Sequence, residues 1–247
     1  MISIFKDNVE LCTALADLFI STGTSAIAKN GRFTVALTGG SSPVTLHKIL
    51  AQPEYQDQLD WNKVFVFWGD ERWVPLTDEK SNAKMAFETL LNHVPIPKQN
   101  IFPMWSDDKD AKAYAADYEQ ILRGFFGEDE ANFDLLILGM GEDGHTASLF
   151  PHTEVLHERT KWVDAYYLEP QQMYRITLTE PFINKAQKVA VLVFGANKAS
   201  ALHEVLEGER NFEQYPSQLL APASGKLMWM VDEGAASKLT DEAKASK

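Results

Sequence analysis

The sequence predicts an α/β fold, a mostly parallel sheet flanked by helices on both faces. Three observations lead there. Short blocks rich in β-branched and aromatic residues recur along the chain, and helical stretches with apolar residues three to four apart lie between them. Several of the blocks are also apolar almost throughout, which fits strands covered on both faces of a parallel sheet. Strand–helix alternation of this kind closes through right-handed crossovers.

The strand blocks are Phe33–Leu37, Val64–Trp68, Phe133–Leu138, Arg175–Leu178, Val189–Phe194 and Leu227–Val231. Helices are predicted over Val9–Ile20, Asn82–Leu91, Lys109–Phe126 and Asn197–Leu206. Pro95-Ile-Pro97 reads as a local loop, and neither a repeat nor a Gly/Ser linker divides the chain. Residues 1–236 are therefore read as one domain, with Ser237–Lys247 a polar tail that frays. Ligands of such a fold are expected at the carboxyl ends of the strands.

The 247 residues suffice for one large α/β domain, and folding at this size removes roughly 70–75% of the unfolded surface from water. With 45% hydrophobic and 23% charged residues, the chain is globular in composition, which argues against disorder. Lys and Arg number 23 against 35 Asp and Glu, a net charge of −12, so neither nucleic acid nor an anionic membrane is an expected partner. A small anion remains open, because a local cluster of Arg, Lys and amides overrides the global charge. The single cysteine, Cys12, excludes an intrachain disulfide framework and a thiolate zinc cluster, and reads as core packing. Met1–Asp7 lacks the basic start and apolar run of a signal peptide. The strongest apolar run, around Leu135–Leu138, falls far short of the ~20 residues of a membrane span. The expected address is the cytoplasm, and no feature of the sequence sets an oligomeric state.

Chemistry is expected in four strand-end loops. After the first block, Gly39-Gly40-Ser41-Ser42 turns into a helix with Pro43 in its first turn. Hydroxyls and free amides there make an anion site; the other reading is a plain turn capped by serine. No Gly-Lys-Ser/Thr follows, so it is not a Walker loop. After the second block come Gly69-Asp70-Glu71-Arg72, where Arg72 has the fork for a phosphate or carboxylate, or simply belongs to a solvated turn.

Gly139, Gly141 and Gly144 satisfy Gly-x-Gly-x-x-Gly after a strand, but a dinucleotide is rejected. Glu142 and Asp143 occupy the turn where a pyrophosphate would lie, and like charges at ~4 Å repel by roughly 4 kcal/mol at an effective dielectric of 20. The loop offers Asp143 and His145 instead, one glycine apart, a carboxylate able to fix the tautomer of a general base. The bland alternative is that Asp143 and Thr146 cap a helical turn over Thr146–Phe150. The other histidines read otherwise. His47, His93 and His203 read as surface or boundary residues, His152 and His157 lack a paired acid at a suggestive spacing in sequence, and nothing suggests a metal site. Trp73 could border the pocket.

In the fourth loop Lys198 sits in a first helical turn, where the helix dipole disfavours a cation unless an anion binds. Arg175 is a further candidate cation, or half of a structural ion pair.

Together these segments resemble the 6-phosphogluconolactonases of the glucosamine-6-phosphate isomerase/deaminase superfamily. The matching residues are LTGGSSP at 37–43, GDERWVP at 69–75, Ser81-Asn82, GMGEDGHTASLFP at 139–151, RITL at 175–178 and GANKA at 195–199. They run in order along nearly the whole chain. The resemblance implies a modified Rossmann-like fold, no metal or other cofactor, and hydrolysis of a phosphorylated sugar lactone, 6-phospho-D-glucono-1,5-lactone, to 6-phosphogluconate in the oxidative pentose phosphate pathway. It makes His145 the base and Asp143 its support, with Gly40, Ser41, Arg72, Arg175 and Lys198 around the substrate. Gly39, Ser42, Asp70 and Gly144 join them as candidate binding residues from the same loops. The deaminase branch, with aldose–ketose chemistry, carries an acid before the proline of the histidine loop; here that position is Phe150, and a phenyl group cannot move a proton. A sugar-phosphate-binding regulator without turnover would need neither Asp143 nor His145.

Overall fold

The computed structural model describes residues 1–127 and 133–245. The chain opens with strand β1 (Ile2–Phe5) and the long helix α1 (Asn8–Asn30). Asp7 starts that helix by accepting from the amides of Val9 and Glu10 at 2.9 Å, and Gly31 ends it with a left-handed φ of 75°. Next come β2 (Phe33–Leu37), α2 (Val44–Leu50), the single turn α3 (Pro53–Gln56), β3 (Val64–Trp68) and the short β4 (Asp70–Arg72). Ser81 caps α4 (Asn82–Ala86), which continues as a π-helical turn, and Asp110 caps α5 (Ala111–Phe126). The remainder holds β5 (Leu135–Gly139), β6 (Val163–Leu168), β7 (Met173–Leu178), the turn α6 (Glu180–Ile183) and β8 (Val189–Val193). It closes with α7 (Ala199–Leu206), β9 (Leu227–Asp232) and α8 (Asp241–Ala245).

Six strands form a parallel sheet in the order β1-β9-β8-β5-β2-β3. β2 and β8 are buried along their whole length, as uninterrupted apolar runs require. From β2 the chain first builds outward to β3, then returns to the other side of β2 with β5. The direction of winding reverses between these neighbours, and their carboxyl ends flank the crevice where such sheets bind ligands. Helix α1 is long and apolar enough to cross a membrane by length and composition. Here Leu11, Leu15 and Phe19 on one face of it are fully buried in the core, beside α2 and β2.

The placement of one strand and of one histidine differs from the sequence reading. The Arg175–Leu178 block lies outside the parallel sheet, as part of β7 in a three-stranded antiparallel sheet β4-β7-β6. Apolar content marks a strand but not its partners. The two sheets meet at Gly69, whose N–H donates to Leu37 O and whose carbonyl accepts from Leu178 N, both at 2.9 Å. In addition, His47 is fully buried rather than at the surface, with Nδ1 2.8 Å from Thr89 Oγ1, and burial lowers its pKa to about 4. Over the described part of the tail, Leu239 is buried and the Thr240 amide donates to Glu207 at 3.1 Å. Residues 246 and 247 of that tail lie outside the described residues.

Candidate active site

The loops leaving β2, β3, β5 and β8, with β7 beside them, enclose a cavity of about 230 Å³. Its wall contains Gly39, Gly40, Ser41 and Ser42, then Asp70 and Arg72, His145, Arg175 and Lys198. The structure thus brings together nearly every residue singled out from the sequence. A larger cleft of about 390 Å³ lies at the opposite end of β2, but it is lined by Lys29, Arg32, Thr34 and Asp134, with no histidine among the described residues there. Asp143 and Gly144 stand outside the wall. Asp143 lies behind His145, while Gly144 turns the loop at a φ of 78°, where a side chain would meet Tyr215 at 2.9 Å. Trp73 is also absent from the wall and packs on Trp105, ring centres 4.5 Å apart.

Between Asp143 and His145 the contact is short, Oδ1 to Nδ1 at 2.6 Å. Burial works to raise the Asp143 carboxyl, but the hydrogen bond and charge of His145 bring it below its ordinary value. An ionised carboxylate only accepts, so in the neutral imidazole Nδ1 is the nitrogen that carries the proton and Nε2 the one with the lone pair. Gly141 makes the pair possible, because a Cβ there would lie 2.0 Å from His145 Nδ1. Thr146–Phe150 is a tight reversal instead of the helical turn expected. Leu149 N donates to Thr146 O at 2.9 Å, Thr146 Oγ1 donates to Gly139 O at 2.9 Å, and Ala147 has a φ of 48°. A non-glycine residue held there stores about 1–3 kcal/mol. The reversal lays Phe150 on the imidazole, ring centres 3.9 Å apart and planes 22° from parallel.

The three cations differ in what they have left to give. Arg175, almost fully buried, donates from Nη2 to Asp70 Oδ2 at 2.8 Å, from Nε to Ser148 Oγ at 2.9 Å and from Nη1 to Gln171 Oε1 at 2.8 Å. Burial would raise the Asp70 carboxyl, but Arg175, Arg72 and the Ser148 hydroxyl together hold it below the usual range. Arg72 gives one bond, from Nη1 to Lys80 O at 3.0 Å, and its Nε is buried without a partner among the described residues. Burial lowers the pKa of Arg72 against the opposing pull of Asp70. Lys198 ends a 3-10 turn immediately before α7. That turn is pinned by Gly195 N on Asp232 at 3.0 Å and by Asn197 Nδ2 on Glu142 Oε1 at 2.6 Å.

Residues 6–229 match the family of glucosamine-6-phosphate isomerases/6-phosphogluconolactonase. The chain belongs to that family. Within this isomerase/lactonase family it is 39% identical over 242 residues to the 6-phosphogluconolactonase of Nostoc sp., covering 97% of this chain and 98% of the relative. Identity to the 6-phosphogluconolactonase of Mycobacterium tuberculosis is 37% over 250 residues, with 96% and 98% covered. The structure of 6-phosphogluconolactonase from Trypanosoma brucei superposes with a TM-score of 0.84 at 26% identity, covering 97% of this chain and 98% of that one. A monomeric glucosamine-6-phosphate deaminase superposes with a TM-score of 0.82 at 18% identity over 96% and 99% of the two chains, a likeness of fold.

Two residues at or behind the wall were given no role from the sequence. Glu71 is fully buried and accepts from the amides of Arg72, Asn82 and Ala83 at 2.7–2.8 Å and from Ser81 Oγ at 3.0 Å. Burial, with the charge of Asp70 added to it, pushes its carboxyl up to about 7 against the three backbone amides. Asn82 donates to Asp70 O at 2.9 Å and crowds Gly39, where a Cβ would fall 1.8 Å from its Oδ1. The hint available was Ser81, a helix cap that places both at the start of α4. Among the described residues no three His, Cys, Asp or Glu side chains converge as a metal-ligand set.

Proposed function

We infer that this chain hydrolyses 6-phospho-D-glucono-1,5-lactone to 6-phospho-D-gluconate, a step of the oxidative pentose phosphate pathway. The observation that carries this reading is the 2.6 Å Asp143–His145 pair beside a cavity that also holds a glycine–serine loop, Arg72 and Lys198. Lactone carbonyls are electrophilic, so water can attack without a covalent enzyme intermediate. His145 Nε2 takes a proton from the water that attacks C1, a role worth ~10²–10⁴-fold. Nearby cations and amides stabilise the oxyanion that forms. As the tetrahedral centre collapses, the bond from C1 to the ring oxygen breaks and His145 returns the proton to that oxygen. Arg72, Lys198 and the Gly39–Ser42 loop hold the phosphate and so orient the ring. Arg175 and Asp70 form the floor, each committed largely to the other.

Phe150 supports the lactonase over the deaminase reading, since it offers no proton where the deaminase branch carries an acid. A cytoplasmic setting belongs to the same proposal; the one cysteine, Cys12, buried and unpaired, fits a reducing compartment. The test is 6-phosphogluconate formation from freshly generated lactone, measured above spontaneous hydrolysis, beside ammonia release from glucosamine 6-phosphate. Enzyme-dependent product is expected in the first assay only. Ammonia release, or no rate above background in either assay, overturns the reading.

A further inference from the structure

The histidine loop adopts a strained conformation whose visible outcome is the contact between Phe150 and His145. Ala147 sits in the left-handed region at a φ of 48°, and the resulting reversal is locked by Leu149 N on Thr146 O and by Thr153 Oγ1 on Phe150 O at 2.6 Å. Phe150 is only 7% exposed, and its ring lies on the imidazole at 3.9 Å. The hydrogen bond from Nδ1 to Asp143 fixes one point of the imidazole. With Cγ bonded to Cβ and Nδ1 held by Asp143, the ring can still tilt about the line through those two atoms, and the tilt swings Nε2 out of its plane. A flat apolar surface against one face removes this freedom, and the bare Cα of Gly141 closes off the edge beside Nδ1.

We propose that Phe150 is the positioning residue of the base: its ring fixes the plane of the His145 imidazole and thereby the direction of Nε2. The phenyl face also carries negative quadrupole density, which favours the imidazolium formed while water attacks. The Arg175 guanidinium, 5.4 Å from the same ring centre, is the other charge on that ring. Asp143 is the carboxylate in contact with the imidazole, and Asp70, Arg72 and Lys198 share its cavity. This inference rests on His145 being the base, so His145→Ala is measured in parallel.

The experiment compares Phe150→Leu, close in volume but without a π face, with Phe150→Tyr, which keeps the face. Kinetics are read on freshly generated lactone, affinity on 6-phosphogluconate, and the imidazole by proton NMR. In wild type the His145 ring protons are expected upfield of their ordinary positions, displaced by the phenyl ring current. Phe150→Leu should lose that displacement and about tenfold in kcat, with KM and product affinity within about twofold, as expected for a misaimed base. Phe150→Tyr should keep both the displacement and most of kcat. A folded Phe150→Leu with wild-type kcat overturns the proposal, and so does a Tyr variant that loses as much as Leu. If Phe150→Leu does not fold, wild-type ring protons at ordinary positions overturn it without any variant. An active His145→Ala would instead remove the base itself, and the proposed mechanism with it.

Discussion

A methyl group at Gly141 probes the geometry of the Asp143–His145 pair with little else disturbed. Built on this backbone, the Cβ of Gly141→Ala would lie 2.0 Å from His145 Nδ1, 2.3 Å from Cε1 and 2.5 Å from Asp143 Oδ1. Ordinary contact begins at 3.4 Å, so the imidazole must retreat by about 3.4 − 2.0 = 1.4 Å. Gly141 is not among the left-handed glycines, so alanine fits its backbone and the strain falls on the pair. With Phe150 against one face, the imidazole cannot slide that far and keep its 2.6 Å bond. A displacement of about 1 Å at a reacting group costs on the order of 10²-fold, or about 2.7 kcal/mol of barrier. Crowding of the fold should cost about 1–3 kcal/mol, seen as a lower Tm. Steady-state kinetics on fresh lactone should show the loss in kcat. Calorimetry with 6-phosphogluconate should show nearly unchanged affinity, because Arg72 and Lys198 are untouched. A folded Gly141→Ala with wild-type kcat would mean that the pair relaxes harmlessly, and that its 2.6 Å contact is not the basis of turnover.

Other expectations follow from the same geometry. His145→Ala should fold and bind 6-phosphogluconate yet lose most turnover, and Asp143→Asn should lose as much or less; full activity in folded His145→Ala refutes the assignment. Arg72→Ala should weaken kcat/KM for the phosphorylated lactone by ~1.5–3 kcal/mol, the scale of a hydrogen bond to a charged group. Unphosphorylated glucono-lactone should respond little, and equal losses for the two would show that Arg72 does not serve the phosphate. Between pH 6.5 and 4 the unfolded chain takes up a proton at His47 that the folded chain excludes, so stability falls as pH falls. The full effect is about 3 kcal/mol at 1.36 kcal/mol per pH unit, so in urea unfolding wild type should lose stability relative to His47→Gln toward acid; parallel curves would refute it. Exhaustive chelation should leave activity intact, and loss restored by one divalent ion would contradict the ligand-poor cavity.

The parallel sheet was legible because its strands are apolar on both faces, and this is what β2 and β8 display. β1, β4 and β6 escaped notice for a related reason. Ile2–Phe5 is an edge strand, Asp70–Arg72 is three polar residues, and Val163–Leu168 alternates in burial, so none reads as a buried run. The strand-end loops announced themselves through glycines, hydroxyls and charges placed directly after apolar blocks. Partnership was not legible. Arg175 looks the same in sequence whether it meets a ligand or Asp70, 105 positions away, and only the fold decides. His47 fell to the same blindness, because a helical histidine does not reveal which face it is on. The Thr146–Phe150 segment was misjudged because Thr-Ala-Ser-Leu has ordinary helical propensity, while the tertiary contacts of Thr146 and Phe150 dictate a reversal.

How a chain of net charge −12 accepts a phosphate dianion is a question of distance. Charges beyond about 10 Å are largely screened at 0.1 M salt, so the cavity wall matters more than the total. That wall has three cations, Arg72, Arg175 and Lys198, and one carboxylate, Asp70. Asp70 stays ionised despite burial because Arg175 and Arg72 hold its pKa down, and it absorbs most of the charge of Arg175 through their 2.8 Å bond. Three positive charges less one leaves +2 in the wall itself, against a phosphate carrying about −1.5 to −2 at neutral pH, with the Asp143 carboxylate set back behind His145. Glu71, immediately behind, spends its lone pairs on the first amides of α4 and on Ser81, turned away from the cavity. The carboxylate Asp70 is therefore not an obstacle to anion binding. By fixing Arg175 it leaves Arg72 and Lys198, both in the cavity wall, as the cations we propose to meet the phosphate.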